Sequence, residues 1–237
     1  MNIFPAIDLY KGNAVRLLKG DYNQMTVYSN SPLSVAEDFV NSGAQFIHLV
    51  DLEGARDGNT PNLETVKKIV QGTSLFSEIG GGIRDIETVE KYLSVGVDRI
   101  ILGTAAVNDR AFLEKAVAKY GEKISVGVDI RDGFVAIKGW TELSALTLHE
   151  FCRDLEELGV RTLICTDISR DGNMRGTNRE LYKEMSQLYK MQIVASGGVS
   201  TLDDIRALSA LSLYGAIIGK AYYTGAIDLR EAIEVAK

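Results

Sequence analysis

The sequence predicts an α/β protein, a single (β/α)8 (TIM) barrel over residues 1–237 built from two repeated half-barrels. Three observations carry this expectation. Eight short apolar runs alternate with segments of helical spacing. An internal repeat relates the two halves of the chain. The length of 237 residues sits close to the roughly 250 typical of such barrels.

The runs occupy residues 4–9, 46–51, 75–79, 99–102, 124–129, 162–167, 192–196 and 215–218. They are almost continuously apolar, as strands covered on both faces should be. The helical segments between them open on capping residues: Ser31 followed by Pro32, then Asn62, Asp85, Asn108, Thr147, Asn178, Ser200 or Thr201, and Asp228. Each side-chain oxygen can accept from an otherwise unpaired N–H of the first turn. Pro32 falls where a missing N–H costs nothing. An open, doubly wound sheet could use the same alternation, but no linker or shift in composition divides the chain.

The repeat favours closure. Phe4-Pro-Ala-Ile-Asp8 matches Ser125-Val-Gly-Val-Asp129, 121 residues later. Phe46-Ile-His-Leu-Val-Asp51 matches Thr162-Leu-Ile-Cys-Thr-Asp167, 116 later. Gly81-Gly82 matches Gly197-Gly198, and Gly103 matches Gly219, again at 116. Two four-strand halves related by a near-constant offset make a ring.

Composition excludes several classes of function. A net charge of −6 argues against general nucleic-acid binding, which needs Lys and Arg to neutralise phosphates. A local cluster of donors could still hold a small anion. Cys152 and Cys165 form neither a C-x-x-C pair nor a disulfide framework, and the N-terminal residues carry no signal-peptide pattern. No run approaches the ~18 apolar residues of a membrane span. A cytoplasmic monomer without a nucleic-acid or membrane partner is expected. Two scattered histidines and two scattered cysteines give no metal-ligand spacing.

In this fold the active site lies at the C-terminal ends of the strands. Gly81, Gly82, Gly103 and Thr104 follow the third and fourth strands, and Gly197, Gly198, Gly219 and Lys220 follow the seventh and eighth. Glycines let backbone N–H groups approach an anion, so the pattern predicts two phosphate grips, although glycines also serve tight turns. Asp8 and Asp129 end matching strands, and two carboxylates in different surroundings can divide acid and base duties. Asp171, in Arg170-Asp171-Gly172, rivals Asp129 as the acid, but Arg56-Asp57-Gly58 suggests that this turn can be merely structural. Thr166 stands where the other half has Val50, so its hydroxyl is expected to face substrate. His48 reads equally as a core histidine or a ligand contact, and His149 as a surface residue. Trp140 could stack on a heterocycle or simply pack.

Taken together, Pro5-Ala-Ile-Asp8, Val15-Arg16-Leu17, His48-Leu-Val-Asp51, Gly80-Gly-Gly-Ile-Arg84, Thr166-Asp-Ile-Ser-Arg-Asp-Gly172 and Ser196-Gly-Gly-Val199 resemble the phosphoribosylformimino-aminoimidazole carboxamide ribotide isomerase family of histidine biosynthesis. The likeness runs from Phe4 to about Gly225. It implies an Amadori rearrangement of an aldose aminal to a ketose amine, on a small molecule with a phosphate at each end. It also implies Asp8 as general base, Asp129 as general acid or its partner, and Thr166 and Asp171 beside them. Arg16, His48, Arg84, Trp140 and Gly172 join the glycine loops as substrate or phosphate contacts, with no metal or cofactor.

Three alternatives remain open at this point. The sister cyclase family looks to have Cys and Lys where this chain has Ala6 and Arg16, and Arg does not readily shed a proton. A dual-substrate isomerase would also accept phosphoribosylanthranilate. A non-catalytic sensor would keep the glycine loops but would not need Asp8 and Asp129.

Overall fold

Eight parallel strands close into a ring in the computed structural model, which describes residues 1–18 and 20–237. Among the described residues twelve strands form: β1 (Asn2–Tyr10), β2 (Asn13–Leu18), β3 (Asp21–Ser29), β4 (Phe46–Asp51), β5 (Phe76–Gly80), β6 (Arg99–Leu102), β7 (Ile124–Arg131), β8 (Phe134–Ile137), β9 (Glu142–Thr147), β10 (Thr162–Asp167), β11 (Gln192–Ser196) and β12 (Gly215–Ile218). The ring runs β1–β4–β5–β6–β7–β10–β11–β12 and back to β1. This is the (β/α)8 barrel, with the eight expected strands displaced by no more than two residues at any end.

Parity decides what faces the barrel interior. Residues two apart share a strand face, and Phe4, Ala6, Ile101, Ile164, Val194 and Ile217 form one buried apolar cluster. Two residues beyond these lie Asp8, Gly103, Thr166, Ser196 and Gly219, so the strands that build the core also aim these residues at the barrel mouth. The opposite strand faces pack against the helices in a second, larger cluster.

The helices are α1 (Pro32–Asn41), α2 (Leu52–Asp57), α3 (Leu63–Gly72), α4 (Ile86–Ser94), α5 (Thr104–Asn108), α6 (Arg110–Tyr120), α7 (Leu148–Leu158), α8 (Arg179–Leu188), α9 (Leu202–Ala210), α10 (Lys220–Tyr223) and α11 (Leu229–Val235). Ser31, Asp85, Thr147, Asn178, Thr201 and Asp228 cap as expected, each accepting from a first-turn N–H. Thr201 rather than Ser200 is the cap of α9, completed by Asp204 reaching back to the Thr201 N–H. Two caps differ from expectation. Asp109, not Asn108, caps α6, because Asn108 already ends the short helix α5. Asn62 precedes α3, but its amide donates to Asp51 and Glu53 instead of capping.

The sequence patterns missed two hairpins. β1 continues through the antiparallel pairs β1–β2 and β2–β3, and β7 through β7–β8 and β8–β9. Asp8 pairs with Val15 and Asp129 with Ala136, so the hairpins repeat at the same 121-residue offset as the aspartates. Strand β3 is mostly exposed and polar, which is why no apolar run marked it.

Candidate active site

Asp8 and Asp129 occupy matching positions at the mouth, each carried by a strand that turns into a hairpin. The hairpins give them different partners. Arg16 on β2 places its guanidinium 3.0 Å from Asp8 Oδ1, with each side chain only about 15% exposed (15% and 14%). Trp140, in the β8–β9 turn, donates its indole N–H to Asp129 Oδ2 at 2.8 Å. Burial pushes the Asp8 carboxyl above the ordinary carboxylate range, opposed by Arg16, raised further by Asp171 and opposed also by His48. Burial likewise raises Asp129, while Trp140 and Thr166 stabilise its charge and Asp171 opposes it. Burial disfavours a charged group that has lost water, and a neighbouring cation or donor restores part of the loss.

Thr166 lies directly beside Asp129 on the adjacent strand, with Cα atoms in register. Asp171 is close enough to act on Asp8, Arg16 and Asp129 alike. Its repeat counterpart Asp57 behaves otherwise: it is exposed and paired with its neighbour Arg56 at 2.8 Å. The two turns therefore share a pattern but not an environment.

The glycines have a structural reason as well as a chemical one. Gly81 and Gly82 adopt φ of 112° and 73°, and added Cβ atoms there would overlap the carbonyls of Asp51 and Gly54. Gly197 and Gly198, at 90° and 79°, press in the same way against Asp167 and Gly176. Each loop is thus clamped onto the preceding βα loop. Those preceding loops are themselves tied alike, Asp51 accepting from Asn62 at 2.8 Å and Asp167 from Asn178 at 2.7 Å.

Gly103 and Gly219 open the short helices α5 and α10, whose first N–H groups have no acceptor within the helix. A Cβ at Gly103 would meet open space, whereas one at Gly219 would overlap the Arg16 guanidinium. Arg16 therefore spans from Asp8 to the Gly219 loop. Lys220 donates to the Gly172 carbonyl at 3.0 Å, and the Thr104 hydroxyl accepts from the Lys138 N–H at 3.1 Å. A cavity lined by Arg16, Asp171, Gly172, Gly197, Gly198, Gly219 and Lys220 brings seven of the nominated residues together, and Met174 and Ser196 join it without having been nominated.

The remaining nominated residues fall as follows. Trp140 holds Asp129, its ring packs over Gly20 in the β2–β3 turn, and its own φ is 74°. A bulky residue in the left-handed region carries strain that its surroundings must impose. Arg84 is exposed, donates to the Ala55 carbonyl at 3.0 Å and lies over Gly58, outside the cavity just described. His48 points its Nδ1 at Glu78 Oε1, 2.7 Å away. His149 sits on α7 against the Tyr189 hydroxyl at 2.8 Å.

Sequence reasoning overlooked Glu78 and Arg99, a buried ion pair at 2.6 Å behind His48. Their signal was available, since each is a charge inside an otherwise apolar strand. Among the described residues no cluster of three or more His, Cys, Asp or Glu could hold a metal ion, and no helix is long and apolar enough to cross a membrane.

This arrangement offers one carboxylate beside a cation, one beside a neutral donor, and glycine loops on both sides of the mouth. Comparison with known proteins shows the family. The histidine biosynthesis protein family matches residues 2–228. The chain is 52% identical over 233 residues to a protein of Lactococcus lactis subsp. cremoris, covering 98% of this chain and 95% of that one. It is 48% identical over 234 residues to one of Oceanobacillus iheyensis, covering 99% and 98%. With one of Brachyspira hyodysenteriae it shares 47% identity over 237 residues and the whole of both chains. All three carry the name 1-(5-phosphoribosyl)-5-((5-phosphoribosylamino)methylideneamino)imidazole-4-carboxamide isomerase.

Proposed function

The chain belongs to the histidine biosynthesis protein family, and from that premise we propose that it is the isomerase that opens the ribosyl ring of the bis-phosphorylated aminoimidazole carboxamide ribonucleotide. Its relatives' names support the reaction. The observation that carries the mechanism is the unequal pair, Asp8 against Arg16 and Asp129 against Trp140.

In the proposed reaction Asp129 delivers a proton to the ring oxygen. The bond from that oxygen to C1 breaks, and the nitrogen lone pair forms a C=N iminium. Asp8 then removes the C2 proton, and the released electron pair forms a C1=C2 bond and neutralises the nitrogen. Loss of the C2 hydroxyl proton and protonation of C1 complete the ketose amine, so the atoms of substrate and product are the same. A base must be ionised, and Arg16 favours the charged form of Asp8. An acid must begin protonated, and burial beside a neutral indole donor rather than a guanidinium favours that for Asp129. Thr166 steadies Asp129, and Asp171 adds negative charge that raises both carboxyls. The loops at Gly81, Gly82, Gly103 and Thr104 and at Gly197, Gly198, Gly219 and Lys220 would hold the two phosphates, converting remote binding energy into orientation. We read the protein as a cytoplasmic monomer acting on this small molecule alone.

Turnover of the purified protein tests the roles. Asp8→Asn is expected to lose at least ~10²-fold in kcat, the lower end of general-base contributions, while isothermal titration still detects substrate binding through the phosphates. Retention of most of the activity would remove Asp8 from the mechanism. Asp129→Asn should fall further than Asp171→Asn if Asp129 is the acid, and the reverse order would give that role to Asp171.

A further inference from the structure

The buried polar chain beneath the mouth has no part in the steps above. Glu78 is fully buried and uses both carboxylate oxygens. Oε1 meets His48 Nδ1 at 2.7 Å, and Oε2 accepts from Arg99 Nε and Nη2 at 3.0 and 2.6 Å. Arg99 continues to the Thr162 hydroxyl at 3.2 Å, which donates to Gln192 at 3.0 Å. Below, the guanidinium carbon lies 5.2 to 5.7 Å from the ring centres of Phe76, Tyr214 and Phe4, within cation–π range. Among the described residues each carboxylate oxygen of Glu78 and each guanidinium nitrogen of Arg99 therefore has a partner, and the chain is open at its upper end. There, among the described residues, His48 Nε2 has no protein partner, and both Asp8 and Asp129 feel the His48 ring.

The internal repeat supplies a control. At the 116-residue offset His48 corresponds to Ile164, Glu78 to Val194 and Arg99 to Gly215. Ile164 and Val194 belong to the apolar interior cluster, so a half-barrel of this sequence closes its core at these positions without charge. Buried ion pairs replaced by packed apolar groups are often neutral or stabilising changes. Scaffold stability therefore gives no reason for a His-Glu-Arg chain in one half only.

We propose that Glu78, anchored by Arg99, is a positioning residue that keeps a proton on His48 Nδ1 and so presents Nε2 to the reacting sugar between Asp8 and Asp129. An ionised carboxylate can only accept, so the His48–Glu78 contact assigns the proton to Nδ1. Burial pushes the Glu78 carboxyl upward, but His48 and Arg99 more than offset it, and the net shift is downward, into the ionised form. Nε2 then meets the substrate from a fixed ring orientation rather than an arbitrary one. The same arrangement orients imidazoles at metal and nucleophile sites, where the outer partner sets which nitrogen is free. This role for Glu78 rests on the isomerase reading for its kinetic consequence, but not for the tautomer itself.

The protein has only two histidines, so nitrogen-15 NMR of the imidazoles resolves them, with His149→Gln assigning the pair. In the unmodified protein His48 should carry hydrogen on Nδ1. An Nε2–H tautomer with bare Nδ1 would overturn the proposal, whatever the enzyme's activity. The second measurement uses Glu78→Leu/Arg99→Met, which removes both charges together, leaves no unpaired ion in the core and gives His48 Nδ1 no acceptor at position 78. Its His48 should lose the fixed Nδ1–H signature, and kcat should fall at least ~10-fold, as when the outer partner of an orienting imidazole is lost, with KM for the ribonucleotide changed less than about twofold because the phosphate loops are intact. A folded double variant with wild-type kcat, or with an unchanged tautomer, would also overturn it. If the unmodified protein shows no isomerase activity, the function fails while the NMR result still decides the dyad.

Discussion

Asp8 and Asp129 are the same residue type on the same kind of strand end, yet each meets a different chemical neighbour. Both owe a raised carboxyl to burial, which has a consequence for stability. A carboxyl whose folded value is raised contributes stability that is fully present below the unfolded value, near 3.8 for Asp129, and is lost as pH rises through the folded value. At neutral pH, above the unfolded value, the burial of Asp129 therefore weakens the fold. Asp129→Asn cannot ionise, and its carbonyl can still accept from Trp140. Its Tm should exceed that of the unmodified protein at pH 7, and the gain should shrink as the pH falls toward 4. A lower Tm at pH 7 would mean that the Trp140 contact outweighs desolvation. The aspartates were legible in the sequence because strand parity and the repeat aligned them. The Arg16–Asp8 contact was not, because only the hairpin pairing of Asp8 with Val15 brings Arg16 back across β1.

At the scale of elements, the two half-barrels present matching devices: a glycine pair packed onto the previous loop, then a glycine opening a short helix. The strands and most helix boundaries could be read from apolar runs and capping residues. The hairpins could not, since β3 leaves most of its side chains in solvent and β8–β9 surrounds the strained Trp140 turn. The chain Glu78–Arg99 escaped notice because a charge in a strand reads as an interruption until its partner's register is known, and Glu78 and Arg99 are Cα partners on adjacent strands. The matched loops carry their own expectation. Crystals grown with inorganic phosphate should hold one anion at Gly82 and Gly103 and another at Gly198 and Gly219, since helix N-termini and glycine loops favour anions. Anions at neither place would count against two phosphate grips, and an anion at only one would confine the substrate's second phosphate to another surface.

Across the whole molecule, closure sets the geometry on which all of this depends. The β1–β12 seam joins the first strand to the last, and the Met1 ammonium group donates to the Ala236 carbonyl at 2.7 Å. We propose that residues 1–237 form one domain, because neither half can leave without opening both that seam and β6–β7. In the proposed reaction one base and one acid act on one substrate, and ammonia has no assigned task. Arg16 stays charged, held by Asp8 and Asp171 against the burial that opposes its charge, so it can orient but not shuttle protons. The most direct test is product analysis by mass spectrometry after incubating the purified protein with the aldose aminal, with and without excess ammonia. The account predicts a product of unchanged mass at a shifted chromatographic position under both conditions. Two smaller products appearing only with ammonia would make the protein a cyclase and contradict the isomerase.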